Sequence, residues 1–141
     1  MTKRLIIIRG IPGSGKSTYA QKLVNELTGE GKTVKHIESD MFFMKNGEYK
    51  FNAKLLGVAH KWCFDTVFNS FNENDTVIVS NTFTTMKELA PYMDRAKVEG
   101  YDTTIYRMAN EFQNQHGVPE ETMQAMKARF VDCESEVIIK A

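Results

Sequence analysis

The chain has 141 residues, 42% of them hydrophobic and 26% charged, which suits one globular domain with a buried core. Lys plus Arg and Asp plus Glu number 18 each, so no net charge draws the whole molecule toward a nucleic-acid backbone or an anionic membrane. Cys63 and Cys133 form no CxxC pair, which excludes a zinc site made of cysteines alone and leaves reduced thiols as the expectation.

Leu5 to Ile8 is a continuous apolar run of the kind found in a strand buried on both faces. A Gly-rich turn follows, then a helix from about Lys16 with Tyr19, Ala20, Leu23, Val24 and Leu27 at helical spacing, closed by Gly29 and Gly31. Thr33 to Ile37 is expected as a second strand, with Glu38, Ser39 and Asp40 at its C-terminal end. Met41 to Phe51 reads as a loop broken by Asn46-Gly47. Asn52 is expected to cap a long helix presenting Leu55, Leu56, Ala59, Trp62, Cys63, Val67 and Phe71 on one side.

Thr76 to Val79 is a third strand, and Thr85 with Glu88 reads as a capping box opening a third helix that Gly100 closes. Asp102 to Arg107 is a fourth strand. Pro119 is placed in the first turn of a helix carrying Met123, Met126 and Phe130, and Ser135 to Lys140 is a last short strand. Strands alternating with helices predict a three-layer α/β/α sandwich around a mostly parallel five-stranded sheet. There is no repeat or low-complexity linker, so one domain over residues 1–141 is expected, with a small lid around 108–118. No signal-like start and no bilayer-length apolar run are present, which points to the cytoplasm and away from a membrane.

Gly10-Ile11-Pro12-Gly13-Ser14-Gly15-Lys16-Ser17 matches G-x-x-x-x-G-K-[ST] in full, between a predicted strand and a predicted helix. Such a loop curls so that successive N–H groups face phosphate oxygens, and the following helix adds its N-terminal partial charge. Gly10, Pro12, Gly13, Ser14, Gly15, Lys16, Ser17 and Thr18 are therefore the candidate nucleotide-binding residues, with ATP and Mg2+ as the expected cofactors. Lys16 reaches the β- and γ-phosphates, and the Ser17 hydroxyl is the magnesium ligand. The bland alternative is a strand-to-helix turn that binds nothing.

Beyond this loop the chain resembles the polynucleotide-kinase-type P-loop kinases, among them short AAA-like and zeta-toxin-like members of phage, bacteria and animals. The resemblance rests on Gly10 through Thr18, Ser39-Asp40 with Phe42-Phe43, Gly47-Glu48-Tyr49-Lys50-Phe51, Ala59-His60-Lys61-Trp62, Val77 through Thr82, and Asn114 through Pro119. It implies a P-loop kinase fold with the loop's strand central, beside the Val77–Val79 strand. It also implies transfer of the ATP γ-phosphoryl to a hydroxyl, such as the 5′-hydroxyl of a nucleic acid, with Asp40 as general base. The position of Asp40 at a strand's C-terminal end agrees with that role, although a loop cap or an outer magnesium partner fits it too.

Two positions depart from the pattern. Ser80 stands where the family usually has an aspartate that anchors the magnesium shell. Phe112-Gln113 stand where lid arginines usually balance the transferring phosphoryl, a contribution of about a thousand-fold or more in rate. Arg107, His116, Lys127 and Arg129 are the substitute cations weighed, against ordinary turn or solvent-exposed roles. His60 is either site-facing or simply half-buried beside Trp62. Phe42, Phe43 and Tyr49 are acceptor-contact candidates, and Trp62 is assigned to core packing. The expected function is an ATP-dependent phosphotransferase acting on a nucleic-acid or nucleoside-like hydroxyl. The alternatives are an ATP-dependent binding module with little or no turnover, and a small-molecule kinase differing only in acceptor, which the balanced charge mildly favours.

Overall fold

The structure is a computed structural model and describes residues 3–109 and 118–139. Phe112, Gln113, Asn114 and His116, and with them nearly all of the expected lid, lie outside the described residues. Strands β1 (Arg4–Arg9), β2 (Val34–Ile37), β5 (Thr76–Asn81), β6 (Asp102–Met108) and β7 (Val137–Ile139) form one sheet in the order β2-β5-β1-β6-β7, with every pairing parallel. The Gly-rich loop therefore leaves the central strand, flanked by β5 and β6, as expected.

Alternation along β1 divides the core. Leu5 and Ile7 join one buried cluster, which includes Cys63, Val67 and Phe68 of α2 (Leu56–Ser70) and Leu89, Tyr92 and Ala96 of α3 (Met86–Val98). Ile6 and Ile8 join another, with Ala20 and Leu27 of α1 (Lys16–Gly29). Period-2 side-chain alternation thus forces helices onto both faces, because neither face can be left in water. Strands β1 and β2 are joined by α1 across β5, and β5 and β6 by α3 across β1. The two crossovers run in opposite directions along the sheet, so connections of one hand put their helices on opposite faces. Between them, the C-terminal strand ends open into the crevice where α/β sheets hold ligands.

Several boundaries differ from expectation for local reasons. Asn52 does not cap α2: its side chain accepts Lys54 N–H at 3.0 Å and starts a 3-10 turn, Ala53–Leu55, ahead of the helix. The predicted Met41–Phe51 loop is more ordered than expected, with a 3-10 turn at Ser39–Phe43 and a two-stranded hairpin, β3 (Met44–Lys45) and β4 (Glu48–Tyr49). Its turn residues, Asn46 at φ 52° and Gly47 at φ 81°, take the left-handed pair that a two-residue hairpin needs. At α3 the expected capping is present, with Glu88 accepting Thr85 N–H at 3.2 Å. Pro119 is the residue before α4 (Glu120–Arg129) rather than in its first turn, and Phe130 falls beyond the helix instead of on its apolar face.

Candidate nucleotide and phosphoryl-transfer site

The loop after β1 is compact and braced from within. Ser14 N–H and Lys16 Nζ both donate to Ile11 C=O, at 3.2 and 3.0 Å. Gly10 is closely packed, since a Cβ there would lie 2.4 Å from Ser14 Oγ and 3.1 Å from the Met108 carbonyl and would force Ser14 to move. Gly15, at φ 91°, is the left-handed residue from which α1 departs. The Ser14 hydroxyl is buried and has no hydrogen-bond partner among the described residues. Ser17 and Thr18 are exposed at the start of α1. Burial lowers the Lys16 amine to about 8, while the nearby carboxylates of Glu38 and Asp40 pull it back up.

Those two carboxylates come from the end of β2 and occupy different surroundings. Asp40 accepts a hydrogen bond from Tyr49 Oη at 3.1 Å, across to the hairpin. Burial, and then the Asp40 charge, push the Tyr49 phenol up to about 12, so it remains a donor at neutral pH. Glu38 accepts from the Ser17 hydroxyl at 2.5 Å and from the Ser80 hydroxyl at 2.8 Å, with His36 Nε2 3.3 Å away. Although burial alone would raise it, the bonds from His36 and Ser17 and the His36 charge bring Glu38 down to about 2. Asp40 was legible in the sequence; Glu38 and His36 were not. The missed signal was a second carboxylate two residues before Asp40, in a chain that lacks one at position 80.

The acceptor candidates separate. Phe43 is only 2% exposed and packs on Phe42, Tyr49 and Phe51, so it anchors the hairpin from inside and does not offer a contact surface. Tyr49 and Phe51 are exposed, with nearly parallel rings 6.4 Å apart. Phe42 is half-buried and reaches Trp62 at 6.0 Å, and Trp62 packs against the core as expected. His60 is exposed and lies at the edge of the site, its Nδ1 2.9 Å from the hydroxyl of Ser39, the residue before Asp40.

The described substitute cations occupy different surroundings. Arg107 pairs with Asp132 and, at 3.2 Å, with Glu136, and lies 4.5 Å over the Phe130 ring. It is committed to the C-terminal segment, so it does not reach the loop as a free cation. Arg129 is exposed on α4, its Nε 3.3 Å from Thr84 Oγ1. Lys127 is exposed on the same helix. Arg9, which the sequence reading passed over, is wholly buried: it pairs with Glu136 at 2.6 Å and donates to Phe83 C=O at 2.7 and 3.0 Å.

A central strand, a phosphate-type loop and carboxylates gathered at the sheet's C-terminal edge define a P-loop fold. The AAA domain family matches residues 5–132, and the chain belongs to that family. An uncharacterized protein of Pasteurella multocida (strain Pm70) is 33% identical over 138 residues, spanning 91% of this chain and 76% of that one. Human NEDD4-binding protein 2 is 29% identical over 137 residues, 89% of this chain but only 8% of that protein. Among solved structures, the Pnkp1/Rnl/Hen1 RNA repair complex superposes with a TM-score of 0.68 at 17% identity, over 92% of this chain and 44% of that one. A gluconokinase from Sinorhizobium meliloti 1021 does so with a TM-score of 0.65 at 14% identity, over 96% and 81%. At these identities the structural likeness establishes the fold. Among the described residues no helix is long and apolar enough to cross a membrane.

Proposed function

We propose that the chain is a single-domain, ATP-dependent phosphotransferase that moves the γ-phosphoryl group onto a hydroxyl of a nucleic-acid end or a nucleoside-like acceptor. The observation carrying this reading is the place of Asp40: hydrogen-bonded to Tyr49 of the hairpin and close enough to Lys16 to act on its charge. The loop's N–H groups and Lys16 hold the triphosphate, and Asp40 accepts the acceptor's hydroxyl proton as the new O–P bond forms and ADP departs. The exposed Ser17 hydroxyl offers a hard oxygen donor that fits Mg2+, which when bound offsets charge on the phosphate oxygens. Exposed Tyr49 and Phe51 beside Asp40 suit a flat acceptor, since aromatic side chains stack bases without reading their sequence.

Asp40→Asn removes charge and basicity with almost no change of shape. ATP binding should persist, while single-turnover transfer to a panel of hydroxyl acceptors drops by about a hundred-fold or more. Equal transfer by both forms would remove Asp40 from the role. The commitment of Arg107 to Asp132 and Glu136 favours a second reading, in which ATP occupancy serves binding rather than turnover. Wild-type protein that binds ATP yet phosphorylates none of the panel would establish that alternative.

Affinity should also depend on pH. A bound triphosphate stabilises the charged amine of Lys16 and raises it above its free value of about 8. Below that value the amine is protonated before and after binding, so Lys16 contributes no pH dependence there. Above it, binding must take up a proton, and affinity falls toward about tenfold per pH unit. Calorimetry in buffers of different ionisation enthalpy, with ATP presented as its Mg2+ complex so that the terminal phosphate is already ionised, should detect that uptake at pH 9 and little at pH 7; equal uptake at both would contradict it.

A further inference from the structure

A carboxylate beside an anion-binding loop repels the anion, and a cation held between them removes that cost. Glu38 is such a carboxylate. The register of β2 on β5 pairs Ile37 with Val79, which brings the next residues, Glu38 and Ser80, together at the strand ends. One oxygen, Oε1, receives the hydroxyls of Ser17 and Ser80, and the Glu38 side chain is only 19% exposed. His36 Nε2 lies 2.6 Å from Ser80 Oγ, so Ser80 can accept from the imidazole and pass its own proton to Glu38. Ser17, likewise, donates its proton to Glu38 and leaves its oxygen lone pairs for a hard cation. Asp40, the other carboxylate near Lys16, is hydrogen-bonded to Tyr49 instead.

We propose that Glu38 carries the negative charge of the divalent-cation shell beside Ser17, doing from β2 what the neutral Ser80 of β5 cannot. Ser80 and His36 are positioning residues that hold Glu38 toward the loop. The assignment rests on the nucleotide-binding reading but is tested separately from it. The probe is ADP, titrated by calorimetry with excess EDTA and with Mg2+, so that no turnover is needed.

Mg2+ should tighten ADP on the wild type. In Glu38→Gln that enhancement should shrink by roughly tenfold or more, the scale on which supporting partners of a metal site act. Affinity in EDTA should hold or rise, because a repulsive charge has gone. Adding Ser80→Asp to Glu38→Gln should bring the enhancement back. An unchanged enhancement in Glu38→Gln overturns the proposal, and so does an equal loss with and without metal, which would make Glu38 a brace for the loop. Wild type that binds no ADP under either condition defeats the nucleotide reading itself. Should Glu38→Gln not fold, Mn2+ replaces Mg2+ in the wild-type ADP complex, and glutamate carboxyl-labelled with 13C should show a hyperfine coupling to the metal. Its absence overturns the proposal.

Discussion

Arg9→Met should destabilise the protein by about 3–5 kcal/mol, the usual cost of removing one partner from a buried ion pair. Arg9 has no exposure at all, and its guanidinium binds Glu136, whose side chain is 5% exposed, at 2.6 Å. The same group donates twice to the carbonyl of Phe83, a bulky residue held at φ 46°, and lies 4.3 Å over Phe130. Methionine fills much of the space but leaves a buried carboxylate and a strained carbonyl without their donor. Arg107, at 3.2 Å from Glu136, softens the loss and argues for the lower end of the range. Urea unfolding measures it, and a change below about 1 kcal/mol would mean that the pair is not dry. The double variant Arg9→Met, Glu136→Leu should recover part of the loss, because apolar residues in place of both charges need no desolvation.

Lys16→Ala should weaken ATP binding by about 2–5 kcal/mol, a factor of some tens to several thousand, as for other truncated charge contacts. The fold should not suffer. Among the described residues the Lys16 amine donates only to the neighbouring Ile11 carbonyl, and its side chain belongs to neither core cluster. Its value of about 8 lies below the ordinary 10.5, so the folded chain disfavours the charged amine. Between those values the unfolded state binds more protons, and wild-type stability should rise with pH there. The alanine variant should lack that rise and melt no lower than wild type at neutral pH. Unchanged ATP affinity in calorimetry would remove the loop from the binding site.

What the sequence alone determined was the part built from near neighbours. Inside the loop, Ser14 and Lys16 are braced by contacts five residues apart or fewer, both to the Ile11 carbonyl, so residue types and spacing were enough to place it, although its ends are also tied to Thr82 and Glu38. The apolar runs of β1 and β5 marked central strands because both their faces are buried, although β1 extends one residue past each expected end and β5 two past its C-terminal one, while the edges β2 and β7 begin one and two residues later than expected. Asp40 was legible for the same local reason, standing just past the end of a strand.

What only the tertiary structure decided was which distant groups share a charge. Glu38 meets Ser17 across 21 residues and Ser80 across 42, and that meeting exists only because β2 lies against β5 rather than against β1. Arg9 meets Glu136 across 127 residues because β6 and β7 continue the sheet beyond the loop's strand. The same packing ties Arg107 to Asp132 and Glu136, and turns Phe43 inward while leaving Tyr49 outside. Charge and burial at these positions follow from strand order. Strand order is set by how the whole core closes, and no local spacing encodes it.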